Sequence, residues 1–211
     1  MPTPNDPKSE YVGLMGSHLG PLCYELREEV DWLQNKWTEF NELFGSGEER
    51  IELLNSVASN FFYFLHKMMF EDAMLHLCRV TDPPETRVHV AGRIEIRKNL
   101  TVMALPKEIS DLAFREQVRS RAQQSKTKCE FARRVRNRML AHADLESLQQ
   151  GASGPQIVRP QIDEALRSLR ALIWFVEEHY GCPPSVLLKD PFGAQSLIFY
   201  LEEAARKVDL A

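Results

Sequence analysis

Six large apolar side chains recur along one stretch of the chain at intervals of four and three residues: Leu26, Val30, Leu33, Trp37, Phe40 and Phe44. Only an α-helix brings side chains so spaced onto one face, so this spacing predicts a long amphipathic helix with one buried stripe. Gly45-Ser46-Gly47 ends it. A second helix is expected from near Glu48 to about Arg79, with Leu54, Ala58, Phe61, Leu65 and Met68 as its stripe. Phe62, Phe64 and Met69 make its middle apolar almost all round, the pattern of a helix at the centre of a bundle. Continued at the same spacing, this stripe passes through Asp72, Leu75 and Arg79. A carboxylate on a buried seam must be paired or sit in a polar cavity. Asp72 is thus expected either in a structural ion pair or in a catalytic role, and His76, four residues on, is a candidate partner.

Thr81-Asp82-Pro83-Pro84 stops the second helix. The next twenty or so residues show no sustained period, and a long loop with a short helix near Asn99 is expected there. Further helices are expected from about Lys107 and over roughly Ser125 to Leu140, then a linker from Gly151 to Pro160. Ile162, Leu166, Leu169, Ile173, Val176 and Tyr180 give another clean stripe, ended at Gly181-Cys182-Pro183-Pro184. Leu197, Leu201, Ala205 and Val208 mark a final helix. No repeat, no Gly-rich phosphate loop and no convincing period-two alternation is evident. The fold class expected is all-α, a bundle of five to seven helices, as a single domain over 11–211 behind a disordered tail over 1–10.

With 211 residues, 44% of them apolar, the chain can bury a real core. No stretch approaches the ~20 apolar residues of a membrane span. MPTPNDPKSE has no basic start followed by an apolar run, so a cytoplasmic protein is expected. Cys23, Cys78, Cys129 and Cys182 lie far apart without a CxxC pair, and the six histidines show no ligand spacing with them. Reduced thiols and no structural metal are expected.

The net charge of −4 hides an asymmetry. From Arg115 to Arg138 nine basic residues face two acids, so this segment is +7. Such a patch on an acidic body suits either polyanion binding or pairing with acidic helices of the same fold. At its end stands Arg136-Asn137-Arg138-Met139-Leu140-Ala141-His142-Ala143-Asp144. Arginine holds a phosphate with a planar fork of donors, and histidine moves a proton near neutral pH. Metal-independent RNA cleavage needs that pair, because the ribose 2′-OH loses a proton while the phosphorane gains charge. On an unbroken helix from Phe131 to His142, Phe131, Val135, Met139 and His142 share one face with Arg138 beside them, and Arg136 lies about 120° from His142. That geometry equally fits a histidine capping an apolar face and a solvated arginine.

RNRMLAHAD resembles the Arg-x(4–6)-His signature of the HEPN superfamily of helical ribonucleases and nucleotide-binding modules. Together with LREEVDWLQNKWTEFNELFG, LCRVTDPPE and KNLTVMALP, it is similar to the abortive-infection U-like branch, over roughly Tyr11 to Tyr180. The resemblance implies a helical homodimer whose two motifs meet in a positively charged composite site, without a metal or cofactor. It implies that Arg136 contacts the scissile phosphate, His142 acts as general base or acid, and Asn137 orients the site. Asp144 either fixes the tautomer of His142 or caps the next turn. Arg133, Arg134, Arg138, Lys126 and Lys128 are the expected RNA contacts. A toxin or defence ribonuclease, restrained by a cognate antitoxin, is one implication. A non-catalytic module for dimerisation, protein partners or nucleotides is the other.

Overall fold

A computed structural model describes residues 6–137, 159–183 and 193–209 of the chain. Arg138, His142, Asp144 and most of the expected linker from Gly151 to Pro160 lie outside the described residues. Helix α1 runs Pro7–Phe44 and α2 Glu48–Arg79. A hairpin of β1 (Glu85–Val90) and β2 (Arg93–Lys98) follows, then short α3 (Leu105–Glu108), α4 (Leu112–Lys128) and α5 (Glu130–Val135). Helices α6 (Arg159–Tyr180) and α7 (Ala194–Asp209) complete the described elements. The all-α class is as expected, with the hairpin as the departure from it. The chain forms two compact units. One holds residues up to Asp31 with those from Met74 onward through α6, the other holds 32–73 with α7.

All six residues of the opening stripe are buried, from Leu26 to Phe44. Within the second unit Trp37 and Phe40 stack with ring centroids 4.8 Å apart. The start of the chain departs from expectation. Pro7–Glu10, expected in a disordered tail, are helical. Asp6 accepts from the backbone N–H of Lys8 at 3.3 Å, and proline is well suited to a first helical turn. Gly16, at φ 85°, breaks α1 and folds its first turns back on the rest. There Lys8 pairs with Glu25 at 2.6 Å, and Tyr11 meets Tyr24 edge-on. Gly20 makes that approach possible, since a Cβ on it would stand 2.5 Å from the Tyr11 carbonyl oxygen.

Helix α2 corrects two expectations. Ala58 leaves helical geometry (φ −159°, ψ 69°), so a stripe extrapolated through it loses phase. Phe62 and Ala73 are buried where Phe61 and Asp72 were expected, a shift of one residue. Asp72 is therefore on the surface, in an ion pair with Lys36, and has no part in a buried seam. The apolar middle is also not central: Val57, Phe61, Tyr63, Phe64 and Met68 are each at least half exposed. In α7 the buried positions are Ala194 and Ile198, again one residue off the expected stripe, and Leu197 is 43% exposed.

The loop expected after Pro84 is a hairpin. Val88 and Val90, then Ile94 and Ile96, alternate with polar residues, and the two-residue turn Ala91-Gly92 has both φ positive, at 48° and 78°. Both strands are almost wholly exposed, so the alternation marks no core face. The helix expected from about Lys107 begins at Leu112, where the Asp111 carboxylate caps it by accepting from the Phe114 N–H at 2.8 Å, and the one expected from Ser125 begins instead at Glu130. Cys129 separates the two, α4 and α5.

Candidate active site

Three of the sequence segments singled out above meet at the C-terminal end of α2. Helix α2 leaves carbonyls without intrahelical donors, as every helix end does. Thr101 supplies one hydroxyl to them, with Oγ1 3.1 Å from the Val80 oxygen and 2.7 Å from the Asp82 oxygen. The Val102 N–H returns to the Val80 oxygen at 2.9 Å. From α5 the Arg133 guanidinium donates to the Thr81 oxygen at 2.7 Å and to Thr81 Oγ1 at 2.8 Å. Pro83 and Pro84 then carry the chain away into the hairpin, and Asn99 ties it back by donating to the Pro83 oxygen at 2.8 Å. Every one of these bonds fixes the backbone on either side of Asp82.

Asp82 faces two arginines. Its Oδ1 lies 3.5 Å from Arg133 and 3.6 Å from Arg136. Arg136 continues the helical backbone past α5, with φ −52° and ψ −50°. This places its side chain half-buried beside Asp82, while Val135 and Phe131 on the same helix turn inward. Its Nε donates to Asn137 Oδ1 at 3.2 Å, so the two neighbours hold one another. Arg136 Nη1 is engaged by Asp82, and the fork is steadied from both sides.

The expected residues therefore separate into groups. Arg136 and Asn137 come together, at an accessible position. Arg133 lies in the fold, with its side chain 14% exposed and its donors turned to α2. Lys128 pairs with Glu164 at 3.2 Å, and Arg134 stands exposed on α5. Lys126 is half-exposed near the end of α4. Arg138, His142 and Asp144 lie outside the described residues. Sequence reasoning took Thr81-Asp82-Pro83-Pro84 only as a helix stop and missed Asp82 as the partner of Arg136.

The thiols near this site are poor nucleophiles. Burial pushes Cys129 up to about 12 and raises Cys78 as well, although Arg136 and Arg133 act on Cys78 in the opposite sense. A separate polar cluster sits inside the first unit. There Tyr11 donates to Glu177 at 2.5 Å, Arg27 donates to the Tyr11 hydroxyl at 3.2 Å, and Arg170 pairs with Asp31 at 3.7 Å. Burial raises the Glu177 carboxyl above the usual range, against the pull of Tyr11 and Arg27. His76, buried on α2, bonds Glu29 at 2.7 Å rather than Asp72. Among the described residues no three His, Cys, Asp or Glu side chains gather as a metal site, and no helix is long and apolar enough to cross a membrane.

The family model described as AbiU2, for HEPN proteins, matches residues 17–193. No curated protein and no solved structure matches the chain. The matched span includes all four segments that carried the resemblance, among them the three that converge on Asp82 and Arg136. The chain belongs to the AbiU2 family of HEPN proteins.

Proposed function

We propose that this protein is a metal-independent endoribonuclease of the defence or toxin type, cytoplasmic, with Arg136 and His142 as its catalytic pair. The observation that carries the reading is the placement of Arg136. It opens the Arg-x5-His motif, stands accessible at the end of α5, and is oriented by Asp82 and Asn137. An arginine so held presents a fixed fork to a phosphate with less side-chain freedom to lose on binding. In the reaction His142 takes the proton of the ribose 2′-OH as its oxygen attacks the adjacent phosphorus. Arg136 stabilises the charge on the phosphorane, and the 5′-oxygen leaves with a proton. The products are a 2′,3′-cyclic phosphate and a 5′-hydroxyl. Asn137 orients the site, Asp144 fixes the His142 tautomer or caps its turn, and Arg134, Arg138, Lys126 and Lys128 contact RNA. Asp82 is a positioning residue.

The active form in this reading is a homodimer with a composite site, held in check by a cognate antitoxin. The exposed apolar middle of α2 supports the dimer. Beyond the break at Ala58, Phe61, Phe64 and Met68 recur at intervals of three and four, the spacing of a helix seam without its partner. The test is incubation of wild type, Arg136→Ala and His142→Ala with total RNA in EDTA, read on a denaturing gel, after equal helicity has been checked. Cleavage by wild type alone is the expected result, and equal cleavage by either variant contradicts it.

A second reading, a non-catalytic helical module, draws on the same ion pair. Arg136 and Arg133 both face Asp82, which is also what a purely structural cluster would do. It predicts no RNA cleavage and a large loss of thermal stability in Arg136→Ala.

A further inference from the structure

The basic segment does not behave as one patch. Arg119 pairs with Glu116 on its own helix. Arg115 turns to the Ile109 carbonyl at 2.7 Å, and Arg133 is used by α2. Arg121 differs from all of these. Its guanidinium lies over the Phe175 ring, 3.9 Å from the centroid, and has no carboxylate partner among the described residues.

Arg121 stands on one wall of a groove of about 310 Å³ between α4 and α6. The two helices run antiparallel there. Ser125 and Ser168 bond across the floor at 2.8 Å, and Lys128 reaches Glu164 at 3.2 Å further along. Arg167 stands on the opposite wall, where only its Nε is engaged, by the Asp163 carbonyl at 3.3 Å. With Glu164 neutralised by Lys128, two arginines remain in the groove without an acidic partner among the described residues. Phe175, beneath Arg121, also lines a second depression of about 380 Å³, with Asp111 and Glu178 among its walls, where exposed His179 lies flat on Phe114 with centroids 3.6 Å apart.

We infer that this groove binds single-stranded RNA, its phosphates on Arg121 and Arg167 and a base stacked on His179. Unpaired positive charge along a groove and an aromatic platform at one end are the two elements such a strand uses. Phe175 fixes the Arg121 guanidinium by its π-face, so its N–H edges remain free for phosphate oxygens. Helix α4 ends at Lys128 and α5, which leads to Arg136, starts at Glu130, so the groove runs into the segment that carries the motif. The inference rests on RNA being the substrate, and adds a binding surface remote in sequence from Arg136.

The test uses the full chain carrying His142→Ala, so that bound RNA is not cut, and a fluorescent single-stranded 12-mer measured across salt concentrations. Adding Arg121→Glu with Arg167→Glu is expected to weaken binding at least about tenfold and to flatten the salt slope by about 1.4, two phosphates at ~0.7 each. Arg167→Gln alone, which disturbs no ring contact, is expected to flatten it by about half as much. Loss of less than about threefold in the double variant, or an unchanged slope in both, overturns the inference, as does a parent protein that binds no RNA. The nuclease reading fails separately. If wild type cuts nothing while the charge reversals still weaken binding, the groove stands and the catalytic pair does not.

Discussion

Helices α6 and α2 both carry large apolar side chains at helical spacing, and they use them in opposite ways. In α6, Ile162, Leu166, Leu169, Ile173 and Val176 are all at most 3% exposed. In α2, Phe61, Phe64 and Met68, beyond the break at Ala58, are all more than half exposed. Periodicity therefore states which face of a helix is apolar, but not what covers it. The difference lies in what flanks each stripe. Helix α6 is apolar on one face and charged on the other, so it has one way to pack. The middle of α2 has aromatic residues on several faces, among them Phe62, which is buried, and its neighbours Phe61 and Tyr63, which are not. One face serves the fold, and the surplus is exposed.

That contrast can be broken by substitution. Leu169→Ala should cost about 2–5 kcal/mol, because a fully buried leucine leaves a cavity. Chemical denaturation would read it, and a loss under 1 kcal/mol would mean that α6 is not the core helix described. Phe61→Asp with Phe64→Asp should change the stability of the monomer by no more than about 1 kcal/mol. The same pair should halve the mass measured by light scattering and abolish RNA cleavage. A dimer that survives both charges would place the interface elsewhere.

Smaller effects test the polar side of the same two regions. Asp82→Asn should lower the cleavage rate about tenfold with little change in KM, since it loosens Arg136 without removing a phosphate contact. Glu177 on α6 should make stability depend on pH. Its carboxyl is raised in the folded state, so the folded chain holds the proton more tightly than the unfolded one. Stability then falls as pH rises from the unfolded value near 4.5 through the folded value, and Glu177→Gln should flatten that part of the profile. Least of all, Cys182 should be the first of the thiols to alkylate in native protein, slowly, because burial pushes it up to about 11 while Cys23, Cys78 and Cys129 are enclosed.

Much of this was legible in the residues. The stripe from Leu26 to Phe44 and that of α6 needed only their spacing, because both helices are regular where the stripe runs. The phase of α2 was not legible, since nothing in the sequence around Ala58 marks the break. The hairpin escaped because its alternation is short and faces water on both sides, so it lacks the apolar face that usually announces a strand. Arg136 and Asn137 were readable as a motif. Their partner Asp82 was not, because it arrives from more than fifty residues away through the Thr81, Thr101 and Arg133 bonds. The basic segment was legible as charge but not as allocation. Only the contacts separate Arg133, which stabilises the end of α2, from Arg121, which faces a groove.

The most direct test of the proposed chemistry is the end groups left on a defined RNA. A synthetic oligonucleotide with one cleavable ribose in an otherwise 2′-deoxy strand would be incubated with the protein in EDTA and the fragments weighed by mass spectrometry. A 2′,3′-cyclic phosphate and a 5′-hydroxyl at that ribose, absent with His142→Ala and with Arg136→Ala, are the predicted products. A 3′-hydroxyl with a 5′-phosphate, or cutting at the 2′-deoxy positions, would contradict a mechanism in which the substrate supplies its own nucleophile.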